Sequence, residues 1–334
     1  MALLGLALLG AVVGVPLGYV MQRTRLCFNS AYREALLHRN TVLLRAILLA
    51  VLVQMVGLVL VVRFSLRGVQ VSVVPFYWLA VIIGSFVFGV AMVYASGCSS
   101  TIWYRTGTGN LGALVALIGF AIGEAVTSFG PLRGLRAALQ APQVALHGGA
   151  PATVPNALGI DPWIVILPIV LIAGWWLIRQ SAGSYLGGWD WRWAGLGLGI
   201  IGLLAWPVAW PTGWHYGVGI VGATGPLVQA LFAGPQVLNW GSFAVLSLPI
   251  GAFLAAWQKK ELRWQIPKPR SALRMGIAGA VMGISATIAG GCNTGHGLTG
   301  VPTLALSSLT ATLFTFLGAW LGNYARWVRP SRST

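Results

Sequence analysis

The chain alternates long apolar stretches with short polar connections. A helix that crosses a bilayer needs about 20 consecutive, mostly apolar residues. Nine stretches meet this requirement, at about 3–21, 43–62, 76–95, 110–128, 163–179, 193–209, 240–257, 274–290 and 304–323. The longest hydrophilic connection, about 129–162, is rich in Pro, Gly and Ala and is predicted to be a loop on one surface. The pattern predicts an all-α, polytopic membrane protein in which residues 1–334 form a single membrane domain.

Composition supports this class and removes one alternative. Hydrophobic residues make up 57% of the chain and charged residues 8%, and the mean hydropathy is +0.80. Soluble domains carry about 25% charged residues. In such a domain the net charge of +16 would indicate a nucleic-acid partner, but basic residues that flank membrane spans act as topology signals. We therefore expect the lipid bilayer, and no nucleic acid, as a partner.

The basic residues also predict the orientation of the chain. If the N-terminus is outside, only Arg63, Arg67, Arg133 and Arg136 lie outside, and the other 17 of the 21 basic residues lie inside. This asymmetry favours an outer N-terminus and a cytoplasmic C-terminus. That arrangement requires an odd number of spans, which agrees with nine. The first stretch lacks a basic n-region and a clear cleavage site, so we expect a retained span and not a signal peptide.

Two distant segments share one pattern. Residues 86–98 and 279–292 are apolar stretches, dotted with glycine, that end in Gly-Cys. Because five spans separate the two partners, the copies run in opposite directions. The pattern predicts an inverted repeat with halves 1–128 and 193–323, joined by a linker span near 163–179. In inverted-repeat carriers the substrate site lies near the midplane, where broken helices meet.

Three irregular segments are the predicted helix breaks, at 23–30, 96–110 and 290–300. Each contains one of the three cysteines, which are Cys27, Cys98 and Cys292. A single cysteine in a membrane helix is usually a small packing residue, but three cysteines in three irregular segments favour a functional role. An odd number of cysteines cannot form a closed set of disulfides. The residues predicted to support the three thiols are Gly97, Ser99, Gly291, Asn293, His296 and Arg25.

His296 raises the question of a metal site, because it follows Cys292 by four residues. The other histidines, His38, His147 and His215, bring no second group of ligands near it in the sequence. We therefore predict neither a metal nor another cofactor, and expect His296 either to pack as a polar residue or to donate to the anion. Arg25 is predicted to anchor lipid headgroups, and a role as a ligand is the alternative.

These segments resemble the YeeE/YedE sulfur-transport family, of which a bacterial thiosulfate uptake protein is the characterised type. The most specific part is the run Gly-Gly-Cys-Asn-x-Gly-His-Gly-Leu-Thr-Gly at 290–300. The resemblance implies an hourglass-shaped helical protein of the inner membrane that takes up thiosulfate along a path on which Cys27, Cys98 and Cys292 line up. It also implies a cytoplasmic sulfur-carrier partner of the TusA-like type. The basic connection 259–274 is either its docking surface or a site for lipid headgroups.

The chemistry of the residues agrees with this implication. Thiosulfate is a dianion with a soft terminal sulfur, and a cysteine thiol is a weak donor with a polarizable sulfur. Conduction requires several weak sites in preference to one strong site. The thiols must be neutral, because a thiolate would repel the anion. Glycines beside the cysteines let the backbone approach the ion, and helix N-termini favour negative charge.

Other functions stay open at this point. The same architecture suits another sulfur or selenium species. A membrane sulfurtransferase would carry sulfur as a persulfide on a reactive cysteine, but no single cysteine is better placed for activation than the others, so we do not expect an enzyme. Glu124 is the acidic residue inside a predicted span; it is expected either to carry a coupling proton or to bond a neighbouring helix.

Overall fold

The computed structural model describes residues 3–64, 69, 71–146 and 149–328. This part of the chain is helical and contains no strand. The helices are α1 Leu3–Thr24, α2 Phe28–Leu37, α3 Val42–Arg63, α4 Trp78–Tyr94, α5 Ser99–Thr106, α6 Leu111–Ser128, α7 Arg133–Gln140, α8 Val154–Leu158, α9 Pro162–Ile178, α10 Trp191–Ala209, α11 Gly225–Ala233, α12 Trp240–Gln258, α13 Pro269–Ala289 and α14 Leu306–Asn323. A π-helix forms at Asn293–Gly300. Arg67, His147, Arg329 and Arg332, which entered the predictions above, lie outside the described residues.

Each of the nine predicted stretches coincides with a helix, which confirms an all-α, polytopic membrane protein. Among the described residues, seven helices are long and apolar enough to cross a membrane. Helix α9 is apolar but has only 17 residues, and α14 is not one of the seven. The number of nine spans therefore stays a prediction.

Helix ends follow from local polar groups and backbone geometry. The side chain of Asn110 accepts a hydrogen bond from the N–H of Ala113 (2.8 Å) and so caps the start of α6. Asparagine is one of the preferred residues at this N-cap position. Leu304 has a left-handed backbone (φ 55°), and Ala305 is extended. Helix α14 consequently begins at Leu306, two residues after the predicted start of the ninth stretch.

The predicted loop 129–162 contains two short helices, α7 and α8, so the prediction of a plain loop was incomplete. Helix α7 lies against α4, α6 and α13. Its last residue, Gln140, donates from Nε2 to the carbonyl of Ile288 (2.8 Å) near the end of α13. This bond satisfies a carbonyl that has no partner within its own helix, and it fixes the helix end that precedes Cys292.

The long helices pack in pairs. Helix α1 packs on α12 and α3 on α10, while α6 packs on α13 and α4 on α14. Two further contacts, α4 with α13 and α1 with α10, join these pairs at the centre. Exchange α1 with α10, α3 with α12, α4 with α13 and α6 with α14. The four pair contacts then convert into one another, and the two central contacts are unchanged. The contacts are thus symmetric between the two predicted halves, and the inverted repeat itself stays a prediction.

Glycines allow the paired helices to approach closely. A Cβ atom on Gly279 of α13 would collide with the carbonyl oxygen of Ala116 on α6, and one on Gly251 of α12 would collide with that of Val15 on α1. Small residues at helix contacts are typical of membrane proteins, where association depends on close van der Waals packing. The packed helices hold the three helix breaks in fixed positions.

Candidate functional site

The three cysteines occupy one position in a helix break that occurs three times. In each break the residue two before the cysteine has a left-handed backbone, namely Arg25 (φ 52°), Ser96 (φ 66°) and Gly290 (φ 78°). The N–H of the following residue donates to the carbonyl five residues earlier, a bond that closes a helix at its C-terminus. These bonds join Leu26 to Met21 (3.1 Å), Gly97 to Met92 (3.2 Å) and Gly291 to Ala286 (2.9 Å).

Each cysteine is then the extended N-cap residue of a short helix. Cys27 precedes α2, Cys98 precedes α5, and Cys292 precedes the π-helix 293–300. The three side chains are 1%, 0% and 2% exposed, respectively. The first N–H groups of a helix have no partner within it and carry a partial positive charge. Each thiol therefore lies at a buried helix end that favours an anion.

Cys27 and Cys98 form a pair. Their side chains lie close enough to interact with each other. The Cys98 sulfur also lies 3.2 Å from the Thr101 Oγ1 and 3.4 Å from the Ser100 Oγ. The first and second helix breaks thus present two adjacent thiols in a polar surrounding.

A basic cavity of about 780 Å³ borders this pair. Asn29 and Ser30, just after Cys27, line it, and so do Ser96 and Tyr104, which flank Cys98 on either side. Its cationic lining residues are Arg25, Arg33, Arg105, Lys259, Lys260, Arg263 and Arg326. Glu261 is the acidic residue of the lining. A concave surface lined by one sign of charge concentrates ions of the opposite sign, so this cavity attracts anions.

Cys292 lines a different cavity, of about 190 Å³. The glycines of the third break, Gly290, Gly291 and Gly295, form one wall. The other wall is the segment 214–222, called the cap segment below, which contributes Trp214, Tyr216 and residues 219–221. Val93 at the end of α4 lines the basic cavity, whereas Val74, before the start of α4, lines the Cys292 cavity. The two cavities therefore lie toward opposite ends of the helix bundle.

Met92 and Asn293 separate the two cavities. Asn29, which lines the basic cavity, donates from Nδ2 to the Met92 carbonyl (3.4 Å), and Asn293 Nδ2 lies 3.3 Å from the Met92 sulfur. Met92 is fully buried. In the described part of the chain no residue lines both cavities. The Met92–Asn293 contact therefore lies between the residues that line the two cavities.

The predicted supporting residues take several roles. A Cβ atom on Gly97 would lie 2.7 Å from Thr101 Cγ2, and one on Gly291 would lie 2.8 Å from the His296 ring. Both glycines thus let the helix after the cysteine fold back against the break. Ser99, predicted as a donor, has a buried Oγ with no hydrogen-bond partner among the described residues, and the same is true of Thr294 Oγ1.

The structure places His296 and Arg25 at the edges of the site. His296 Nδ1 lies 3.0 Å from Ser308 Oγ, and its Nε2 lies 3.2 Å from the carbonyl of Ala289. The ring therefore links the π-helix to α14 and to the end of α13. Arg25 lies in the wall of the basic cavity and forms an ion pair with Glu261 (3.0 Å). Among the described residues there is no group of three or more His, Cys, Asp or Glu side chains that could hold a metal.

Sequence reasoning missed Met92, the cap segment and the role of Arg105 and Arg326 as cavity walls. Met92 is an ordinary apolar residue of a predicted span, and nothing in the sequence distinguishes it. The arginines were interpreted as topology signals, which does not exclude a second role. The shared left-handed residue two positions before each cysteine was also invisible, because it is Arg, Ser and Gly in the three breaks.

Long apolar helices, together with breaks that place polar groups in the buried interior, define a class, the polytopic membrane proteins with interrupted helices. The chain belongs to the sulphur-transport family, whose sequence model matches residues 23–321. This match confirms the resemblance to the YeeE/YedE family.

Two relatives cover almost the whole chain. The chain is 35% identical over 320 residues to the thiosulfate transporter TsuA of Spirochaeta thermophila, and the matched region covers 93% of this chain and 96% of that protein. It is 30% identical over 342 residues to the thiosulfate transporter TsuA of Escherichia coli, covering 97% and 95%. The probable transporter YedE of Escherichia coli is 31% identical over 129 residues, 38% of this chain and 30% of that protein. These relatives are named as transporters, in line with the prediction that the chain is not an enzyme.

Proposed function

We propose that this protein takes up thiosulfate across the inner membrane along a path marked by Cys292, Cys98 and Cys27. The observation that carries the proposal is the occurrence of three buried thiols at equivalent helix N-termini, between a small cavity on one face and a basic cavity on the other. The full-length similarity to two proteins named as thiosulfate transporters supports the substrate. The two-cavity arrangement, narrow at Met92, also supports the hourglass shape implied by the family.

The orientation follows from the basic residues. With the N-terminus outside and the C-terminus in the cytoplasm, α4 runs inward, so the Cys292 cavity faces outside and the basic cavity faces the cytoplasm. Basic residues concentrate on the cytoplasmic side of membrane proteins. Thiosulfate then meets Cys292 first and the Cys98–Cys27 pair second. The paired helix contacts support the inverted repeat of halves 1–128 and 193–323 about the linker helix α9.

The anion is bound weakly at several successive sites along the path. A neutral thiol donates a weak hydrogen bond to the soft sulfur of thiosulfate and releases it easily. The unpartnered hydroxyls of Ser99 and Thr294 lie beside the thiols and are suited to donate to the sulfonate oxygens. Helix N-termini contribute about 0.3–2 kcal/mol for each anion contact. Several such sites favour passage over retention of the anion.

The cytoplasmic end of the path is suited to a protein that removes the product. An inside-negative potential opposes entry of a dianion by about 4.6 kcal/mol per 100 mV, because each charge contributes about 2.3 kcal/mol. Lys259, Lys260 and Arg263 belong both to the basic connection 259–274 and to the rim of the basic cavity. We propose that a TusA-like sulfur carrier docks there and removes sulfur as it arrives.

Growth on thiosulfate tests the proposed substrate. Cells that cannot take up sulfate or thiosulfate are expected to grow on thiosulfate as the sole sulfur source when they express this protein, and not with an empty vector. Cysteine-fed cultures provide the matched control for viability. A sulfurtransferase would instead be supported if cells that express the protein grow but do not import labelled thiosulfate, and if Cys98 or Cys292 carries a persulfide. Faster uptake of selenium or other sulfur species in the same cells would change the assigned substrate.

Labelling of the cysteines tests the two-sided arrangement. An anionic, membrane-impermeant methanethiosulfonate reagent is expected to modify Cys292 in intact cells stripped of their outer membrane, and Cys27 and Cys98 in inside-out vesicles. Peptide mass spectrometry identifies the modified residue, and added thiosulfate should slow each reaction several-fold. Modification of Cys292 only in inside-out vesicles would contradict the orientation.

A further inference from the structure

Glu124 is a fully buried carboxyl that the path described above does not use. It lies on α6 and is 0% exposed. Its Oε1 accepts a short hydrogen bond from the N–H of Gly222 (2.6 Å). Its Oε2 has no hydrogen-bond partner in the described part of the chain. A buried carboxyl oxygen without a partner is unusual in folded proteins and requires an explanation.

The surroundings of Glu124 do not supply a paired cation. Helix α13 approaches Glu124 with Gly283, and helix α11 approaches it with Gly225. A Cβ atom added to Gly225 would lie 2.9 Å from the Glu124 Oε1. The backbone of Gly225 also interacts with the carboxyl, and helix α7 brings Arg136 toward it, but the described salt bridges do not include the Arg136–Glu124 pair. An ionisable side chain inside a membrane segment is costly and is normally functional.

Glu124 is connected through the cap segment to the Cys292 cavity and, two residues further along the chain, to helix α5. Residues 219–221 line the Cys292 cavity, and the next residue, Gly222, is the one bonded to Glu124. Two residues further on, Thr224 accepts a hydrogen bond from Trp103 Nε1 (3.1 Å). Trp103 belongs to α5, the helix that Cys98 caps. A change at Glu124 therefore acts on the wall of the outer cavity and, through Thr224, on the helix of the inner thiol pair.

We propose that Glu124 binds a proton that is carried inward with each thiosulfate, an inference that rests on the proposed transport function. The ionised carboxylate holds the Gly222 N–H strongly, because charge-assisted hydrogen bonds are about twice as strong as neutral ones. Protonation from outside weakens this bond and frees the cap segment beside Cys292. When thiosulfate has left through the basic cavity and the cap segment returns, the carboxyl ionises again and its proton passes to water on the cytoplasmic side.

The charge balance of this step makes a distinctive prediction. Thiosulfate carries two negative charges and Glu124 carries one proton, so each turnover moves one net negative charge into the cell. Accumulation is therefore expected to increase when the exterior is acidic, and to decrease when the interior is made more negative.

The variant Glu124→Gln tests the proposal in reconstituted vesicles. Glutamine keeps an oxygen that accepts from Gly222 but carries no transferable proton. Exchange of labelled for unlabelled thiosulfate, which needs the path but no net proton movement, is expected to persist. Accumulation driven by a pH gradient is expected to fall at least tenfold, to the equilibrium level. Cys292→Ala should abolish both activities, which separates a failure of the proton site from a failure of the proposed function.

Three results would overturn the proposal. The first is accumulation by Glu124→Gln with the pH response of the wild type. The second is that Glu124→Gln loses both exchange and accumulation although size-exclusion chromatography shows that it is folded. That result would indicate a structural role. The third applies even if the variant does not fold: wild-type vesicles that contain a pH-sensitive dye should acidify inside when thiosulfate is added outside, and no acidification would refute proton transfer.

Discussion

Replacement of Cys98 by alanine is expected to reduce thiosulfate uptake about 10–100-fold. The thiol lies at the N-terminus of α5, beside Cys27, and contacts the hydroxyls of Ser100 and Thr101. Its loss removes a donor from the centre of the proposed path and leaves the neighbouring buried hydroxyls with fewer partners. A hydrogen bond to a charged group is worth about 1.5–3 kcal/mol, and each 1.4 kcal/mol corresponds to a factor of about ten. The measurement is the initial rate of labelled thiosulfate uptake in vesicles.

Two further variants sharpen this test. Cys98→Ser keeps a donor but replaces the soft sulfur by a harder oxygen, so an intermediate rate is expected. Ser285→Ala changes a buried hydroxyl whose bonds go to the carbonyls of its own helix α13, at Val281 and Met282, and should leave uptake within about twofold of the wild type. Wild-type rates in the Cys98→Ala protein would show that the thiol pair is not on the path.

Replacement of Gly279 by leucine is expected to prevent folding. A Cβ atom at this position meets the backbone carbonyl of Ala116 on α6, and this oxygen cannot move aside as a flexible side chain would. Overpacking a tight contact typically costs about 1–3 kcal/mol and sometimes more, and here two membrane helices would have to separate. The position of α13, and with it the break that carries Cys292, depends on this contact. The fraction of monodisperse protein in fluorescence-detected size-exclusion chromatography measures the effect.

Gly174→Leu is the matched control for this variant. Gly174 lies on α9, and a Cβ atom placed on it meets no atom within 4 Å. Its replacement by leucine is expected to leave the elution profile and the melting temperature close to those of the wild type. An equal loss of folded protein in both variants would show that leucine insertion, and not the contact of α6 with α13, causes the defect.

Much of this architecture could be read from the amino-acid sequence. Hydrophobic stretches of membrane length are a strong signal of spanning helices, because a span in lipid must satisfy its backbone hydrogen bonds internally. The three breaks were also located correctly, since glycine and polar residues interrupt the apolar pattern around Cys27, Cys98 and Cys292. The glycines in the stretches 86–98 and 279–292 indicated a repeated pattern, but not which helices are partners.

Partners and distances came only from the tertiary structure. Cys27 and Cys98 are separated by 70 residues in sequence, yet they pair, while Cys292 lines another cavity. The contact of Met92 with Asn293 between the two cavities depends on how α4 packs against the third break. The same applies to the basic cavity, because a positive-inside pattern gives the side of the membrane on which an arginine lies but not what it faces.

Apolar length, charge asymmetry and the Gly-Cys segments by themselves determined the membrane class, the proposed orientation, the family and the three cysteines of the candidate site. The pairing of the thiols, the shared left-handed geometry before each cysteine and the bond from Glu124 to the cap segment were decided only in the folded chain. The physical reason is that burial in lipid is a local property of each stretch, whereas hydrogen bonds and cavities require groups that are distant in sequence to meet in space.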